Sequence, residues 1–241
     1  MKIEICFSPA LYSYYTSKKE DKIIIIVDIL RASTSICTAL NNGAKSIIPV
    51  ATIHEAKEYK SKGYLVGAER NVKRCRFADF GNSPLEYTSE KVKDKDIVLT
   101  TTYCTKAIKK ASKDQSTMII GSFSNITAVV NYCVEKKKDV LIVCAGWNNR
   151  FNIEDTIFCG ALTKKLVIKG VHAANSDSSQ AVLALWRNAE PDMWSYISRS
   201  EHIKRLEANG LEDSIAYCLT EDTAAIVPVY DKETGSLVID R

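Results

Sequence analysis

The 241-residue chain is short of histidine, with three, and of proline, with five. The order of His54, His172 and His202 makes no Ser-His-Asp arrangement readable. None of the eight cysteines (Cys6, Cys37, Cys75, Cys104, Cys133, Cys144, Cys159 and Cys218) stands in a C-x-x-C pair, and no zinc-ligand spacing occurs. Most lie inside apolar runs, where a free thiol acts as a small hydrophobe. That pattern predicts reduced thiols in a cytoplasmic protein and excludes a disulfide framework. No apolar run reaches membrane-spanning length, and MKIEICFSPA lacks the long apolar stretch of a signal peptide. The net charge of +4 suits an anionic ligand but lacks the concentrated basic patch that nucleic acid demands. There is no G-x-x-x-x-G-K-[ST] and no G-x-G-x-x-G after a strand, which argues against a P-loop and a nicotinamide dinucleotide fold. No internal repeat or low-complexity linker divides the chain, so residues 1–241 read as one domain.

What is present is alternation. KIEICF, KIIIIVD, SIIPVA, YLVGAE, DIVLTT, TMIIGS and DVLIVCAG read as strands, several of them continuous apolar runs suited to burial on both faces. Helical patterns separate them: ASTSICTALNN up to Gly43, a segment from a Thr52/Glu55 capping box to Gly63, then helices around 105–112, 124–137 and 153–169. Residues 70–88 form a longer connection. Residues 177–219 read as several helices, with Asp177 and Gln180 spaced like a capping box and Gly210 as a stop. AIVPVY and SLVID read as a closing hairpin around Asp231 to Gly235. The predicted fold is three-layer α/β/α with a mixed, mostly parallel sheet, and in such sheets ligands bind beyond the carboxyl ends of the strands.

Polar residues gather where those strands end. Asp28 closes IIIIV, a position where a carboxylate is costly unless it is paired, hydrogen-bonded or bound to a metal. Arg31 follows with a planar fork suited to phosphate or carboxylate. Ser33 and Thr34 lie where a helix should open, so that hydroxyls and free amides could hold an anion. The structural alternative is an Asp28–Arg31 ion pair with Ser33 as a plain cap. Glu69-Arg70 repeats the acid–arginine pairing. Asn82-Ser83 lies in a tight turn; Thr101-Thr102 and Ser122 to Asn125 sit at two further strand-to-helix mouths, where capping is an equal reading. Glu154-Asp155 open a helix, where the dipole favours negative charge; together with Asp28 and Glu69 they supply enough hard oxygen ligands for magnesium, which takes one or two protein carboxylates. The second aspartate of a haloacid-dehalogenase phosphatase is absent, since Leu30 occupies its position. Cys144 and Arg150 have the C-x5-R spacing of cysteine-dependent phosphatases, although Val143 and Phe151 depart from that pattern. His202 could approach the site, although a solvated helix face is the favoured reading.

The order of these clusters resembles the 2-phosphosulfolactate phosphatase (ComB) family: V-D-I-L-R-A-S-T, E-R-N, D-F-G-N-S-P, T-T-x-x-T-K-A, G-S-F-S-N, then C-A-G with E-D. The tail SEHIKRLEANGLEDSIAYCLTEDTAAIVPV looks like that family's C-terminal segment, and the likeness covers nearly the whole chain. It implies a magnesium-dependent phosphomonoester hydrolase of three-layer α/β fold, acting on 2-phospho-3-sulfolactate in a coenzyme M biosynthesis type reaction. The matching positions are Asp28, Arg31, Glu69, Arg70, Asn82, Ser83, Asn125, Glu154 and Asp155. The family's T-T-N-G-T appears here as T-T-Y-C-T, so Tyr103 and Cys104 replace Asn and Gly; Ala68 and Phe77 stand where glycines are usual.

The expected site is therefore Asp28, Arg31, Glu69 and Arg70 as catalytic groups. Ser33, Thr34, Asn82, Ser83, Thr101, Thr102, Ser122 and Asn125 are the expected substrate donors, and Asp28, Glu154 and Asp155 the magnesium ligands. The expected partner is a small anionic phosphoester, with neither nucleic acid nor membrane, and with homo-oligomerisation left open. The alternatives are another phosphorylated hydroxy acid as substrate, the Cys144/Arg150 mechanism, and a non-catalytic binder of an anionic metabolite.

Overall fold

A computed structural model describes residues 1–16 and 21–240. The strands, in chain order, are β1 (Ile3–Cys6), β2 (Ile23–Val27), β3 (Ser46–Pro49), β4 (Leu65–Arg70), β5 (Lys73–Arg74), β6 (Asp96–Thr100), β7 (Thr117–Gly121), β8 (Val140–Cys144), β9 (Pro228–Asp231) and β10 (Ser236–Ile239). The helices are α1 (Ala32–Asn41), α2 (Ile53–Ser61), α3 (Ser89–Val92), α4 (Cys104–Ala111), α5 (Ile126–Lys136), α6 (Ile153–Ile168), α7 (Asp177–Ala189), α8 (Met193–Ile197), α9 (Glu201–Glu207) and α10 (Glu212–Cys218). Helices cover both faces of one mixed sheet, the three-layer α/β/α arrangement, and among the described residues none is long and apolar enough to cross a membrane.

The unbroken apolar run of β2 has a direct physical reason. Ile23, Ile25 and Val27 pack toward α5, α6 and α7, while Ile24 and Ile26 pack toward α1 and α4. Because side chains alternate across a strand, burial on both faces requires an apolar residue at every position. At Gly160, α6 meets α7 so closely that an added Cβ would lie 2.3 Å from the Val182 carbonyl oxygen.

The order across the sheet is β1-β8-β2-β7-β9-β10-β3-β6-β4-β5. β1, β8, β2 and β7 are mutually parallel, as are β3, β6 and β4. The closing hairpin joins the two sets through antiparallel steps, β7 to β9, β9 to β10 and β10 to β3. Three reversals make the two parallel sets run in opposite senses along the sheet. Residues that follow strands of both sets nevertheless meet in one cavity. α1 packs against β7, β9 and β3, and α4 against β2 and β3, within one core cluster that also holds Ile97 and Leu99 of β6.

One local expectation needs correction. Asp177 and Gln180 do not form the capping box of α7: Ser176 is the cap, its Oγ accepting from the Ser179 N–H, and Gln180 instead donates to the Ala174 carbonyl. A 3-10 turn at Pro9–Tyr14, which no periodicity announced, follows β1. The Thr52/Glu55 box forms as read, with both reciprocal bonds.

Candidate active site

A cavity of about 220 Å³ opens where the carboxyl ends of β2, β8, β4 and β6 converge. Asp28 and Arg31 enter it from the β2–α1 junction, Glu69 from β4, Asn82 from the following loop, and Thr101 and Thr102 from the β6–α4 mouth. Trp147 and Asn152 come from the β8–α6 loop, His202 and Arg205 from α9.

The β2–α1 junction is built around Asp28. Its carboxylate accepts from the Ala32 N–H at 3.4 Å, its carbonyl accepts from the Ser33 N–H at 2.9 Å, and its own N–H donates to Ser33 Oγ at 2.8 Å. The first amides of α1 are therefore spent on Asp28, not free for a ligand. Burial, helped by the charges of Glu69 and Glu154, pushes the Asp28 carboxyl up to about 6 against the pull of His202 and the Ala32 N–H. Arg31 is 3% exposed. Its guanidinium donates to Ser214 Oγ at 3.3 Å, and among the described residues no carboxylate stands at ion-pair distance. The anticipated Asp28–Arg31 ion pair is not formed. Among the described residues its five N–H donors make this one long bond, and burial lowers the guanidinium from its ordinary value.

Glu154 and Asp155 open α6, as read, but neither lines the cavity. Asp155 is 1% exposed; Oδ1 accepts from the Ile29 N–H at 2.9 Å and Oδ2 from the Gly146 N–H at 3.2 Å. It ties the β2 and β8 loops together. Burial, then the charges of Asp28 and Glu154, raises its carboxyl well above the carboxylate range. Glu154 Oε1 lies 2.9 Å from His202 Nδ1. Burial works to raise the Glu154 carboxyl, yet the hydrogen bond and charge of His202 outweigh it and hold it below its usual value. His202 is thus a cavity residue held by a buried acid, not part of a solvated helix face.

The other acid–arginine pair is used differently. Glu69 accepts from the Val72 N–H with one oxygen and lies 3.5 Å from Thr102 Oγ1 with the other. The first bond braces a turn in which Asn71 and Val72 both have positive φ, 54° and 60°, a geometry a β-branched residue rarely adopts. Arg70 does not line the cavity: it donates to the Glu69 carbonyl at 2.6 Å and to the Thr100 carbonyl and Oγ1 at 3.3 and 2.9 Å.

Of the expected donors, Asn82, Thr101 and Thr102 line the cavity, and Ser33, Thr34, Ser83, Ser122 and Asn125 do not. Thr34 Oγ1 donates to the Ile29 carbonyl at 3.5 Å. Ser122 and Asn125 form their own box, and Asn125 Nδ2 donates to the Ile120 and Ile226 carbonyls, pinning the segment that precedes β9. Thr101 and Thr105 exchange N–H to hydroxyl hydrogen bonds across the β6–α4 mouth. Among the described residues Asn82 Oδ1 and Asn152 Oδ1 are buried without a hydrogen-bond partner, and both residues line the cavity. Orphaned buried acceptors are rare in folded proteins.

Cys144 is not placed for attack. It is fully buried, its Sγ is 3.5 Å from Cys159 Sγ, and the contact with Cys159 together with burial raises the thiol far from the reactive range. Arg150 is exposed and outside the cavity.

Sequence reading missed Arg205, Trp147 and Asn152. For Arg205 a signal existed: His202 and Arg205 are spaced i, i+3, while Ile203 and Leu206 carry the buried face of the same helix.

The 2-phosphosulpholactate phosphatase family model matches residues 8–233. A probable 2-phosphosulfolactate phosphatase of Thermotoga maritima is 41% identical over 212 residues, 88% of this chain and 90% of the relative. Those of Caldanaerobacter subterraneus and Clostridium novyi are 38% and 35% identical, covering 87% and 95% of this chain and 88% and 97% of their own. The matched span holds every cavity residue from Asp28 to Arg205, and the chain belongs to the 2-phosphosulpholactate phosphatase family.

Proposed function

We propose that the chain is a magnesium-dependent phosphatase that hydrolyses 2-phospho-3-sulfolactate to 3-sulfolactate and phosphate, a coenzyme M biosynthesis type reaction. One observation carries this reading. A buried guanidinium with no acidic partner among the described residues, on Arg31, shares a small polar cavity with the Asp28 carboxylate. Phosphoryl transfer asks mainly for positioning and for neutralisation of charge on the phosphoryl oxygens. Arg31 binds and orients the phosphate through its fork. His202, held through its Nδ1 contact with Glu154, lines the cavity and is the group we assign to protonate the departing hydroxy-acid oxygen. The Thr101 and Thr102 hydroxyls border the same space.

Magnesium fits the residues present, with a revised ligand set. Asp28 supplies a carboxylate, and Asn82 and Asn152 supply amide oxygens that lack partners among the described residues. Glu154 and Asp155 are occupied by His202 and by two backbone amides. When bound, the ion supplies charge neutralisation and a lowered pKa for a coordinated water. Eight free cysteines support a cytoplasmic setting.

Phosphate release from phosphosulfolactate, phospholactate and phosphoglycerate, with magnesium and with excess chelator, tests the reading. Release that requires magnesium and favours the sulfonated ester is expected. Full activity in chelator removes the metal from the reaction, and no release from any ester removes the phosphatase. Tyr103 lines the cavity where the family has Asn, so a different phosphorylated hydroxy acid is the second reading, and a preference for phospholactate would select it.

A further inference from the structure

The substrate proposed above carries a sulfonate and a carboxylate besides its phosphate, and a receptor for at least one of them is needed in the same cavity. The sequence offers Arg70, but its fork is committed to the Thr100 and Glu69 carbonyls and the Thr100 hydroxyl. Apart from His202, the basic side chains that line the cavity are Arg31 and Arg205. Arg205 is half-buried on α9, and its guanidinium carbon lies 4.3 Å from the centroid of the Trp147 ring. Among the described residues, no hydrogen bond or ion pair to its guanidinium exists. Stacking engages the face of the guanidinium and leaves the in-plane N–H groups free, so an arginine held on an indole presents an unspent bidentate fork.

The platform is rigid. Trp147 and Arg150 exchange backbone hydrogen bonds at 3.2 and 2.8 Å across a turn in which Asn148 and Asn149 have φ of 52° and 57°. Gly146 precedes it at φ 61°, where an added Cβ would fall 2.3 Å from the Arg150 carbonyl oxygen. Tyr103 Oη, the residue that departs from the family pattern, donates to Asn148 Oδ1 at 2.8 Å and so ties the turn to α4. A tryptophan on a free loop would not hold an arginine; this one is fixed from both sides.

Resting on the phosphatase reading, we propose that Arg205, stacked on Trp147, receives the sulfonate or carboxylate of the substrate while Arg31 receives the phosphate. Arg205 is then the specificity-determining residue, and the enzyme selects small phosphoesters that bear a second anionic group.

The test compares wild type, Arg205→Gln, Arg205→Lys and Trp147→Leu on phosphosulfolactate and on phenyl phosphate, which has no second anion. Calorimetry of 3-sulfolactate binding is run alongside. Loss of a charge-assisted bidentate contact costs about 10- to 100-fold. Arg205→Gln is expected to raise KM for phosphosulfolactate by that factor with kcat changed less than 3-fold. The loss on phenyl phosphate should be at least ten times smaller. Arg205→Lys should recover part of the loss, and Trp147→Leu should show the same KM pattern more weakly. Sulfolactate should bind wild type at least 10-fold more tightly than Arg205→Gln. Equal losses on both esters, or a kcat effect with KM unchanged, overturn the assignment. Failure of wild type to bind sulfolactate overturns it whichever esters are hydrolysed. Arg205-dependent sulfolactate binding in a protein that hydrolyses no ester supports the receptor and removes the phosphatase reading alone.

Discussion

The β2–α1 junction and the β4–β5 corner each place an acid and an arginine at the end of a buried strand, and they spend them in opposite ways. At the corner, Glu69 holds a strained turn through the Val72 N–H, and three acceptors surround Arg70. At the junction, Asp28 accepts one long bond from Ala32 and Arg31 makes one long bond to Ser214. The residue types are the same, so composition cannot separate them. Unspent hydrogen-bonding capacity in a buried place does, because a folded chain rarely leaves such groups idle without a ligand to complete them.

The largest effect is expected at Asp28. Asp28→Asn should lower kcat by about 1,000-fold or more in a folded protein, a loss in the range of removing a group that acts directly at the reacting centre. Turnover within tenfold of wild type would remove Asp28 from the chemistry. Arginine replacement tests the contrast itself. Arg31→Lys keeps the charge and loses the fork, so kcat/KM should fall by about 100-fold with little change in melting temperature. Arg70→Lys should cost about 1 kcal/mol of stability and less than about 5-fold in kcat/KM. Matching losses at the two positions would break the comparison.

His202→Gln should reduce kcat by about 10- to 100-fold and remove one limb of the pH–rate profile, as loss of a general acid does. An unchanged profile would confine His202 to pairing with Glu154. Asp28 also has a stability signature. Its folded pKa, about 6, lies above the ordinary 3.8. The proton-linked stability it contributes is full below about pH 4 and is lost as pH rises through 6. In chelator, Asp28→Asn should therefore match wild type near pH 4 and be more stable above pH 6, by on the order of 2 kcal/mol in urea unfolding. The smallest effect is expected from Cys144→Ser, under about 3-fold in activity, since the thiol is buried against Cys159.

Much of the fold was legible, because local physics governs it. The run IIIIV had to be a strand buried on both faces, and the Thr52/Glu55 box and the Asp231 to Gly235 hairpin turn formed where their residues stand. The insertion of that hairpin between two opposed parallel sets was not legible, since strand order depends on contacts far apart in sequence. Ser122 and Asn125 show the limit most clearly. Their spacing suited an anion mouth and a self-contained box equally, and the distant Ile226 carbonyl settled Asn125 as a structural anchor.

By itself the sequence determined where strands end and that acids, arginines and hydroxyls would collect there, because burial of the runs leaves only their termini for polar groups. It determined the motif order that marks the family. Only the tertiary structure decided which of those groups remain unspent. His202 reaches Glu154 across 48 positions and Arg205 reaches Trp147 across a longer gap. Folding consumed the hydrogen-bonding capacity of Asp155, Arg70 and Ser33 while leaving that of Asp28, Arg31, Asn82 and Arg205 open. Hydrogen bonds are satisfied by neighbours in space, and those neighbours exist only once the chain has folded.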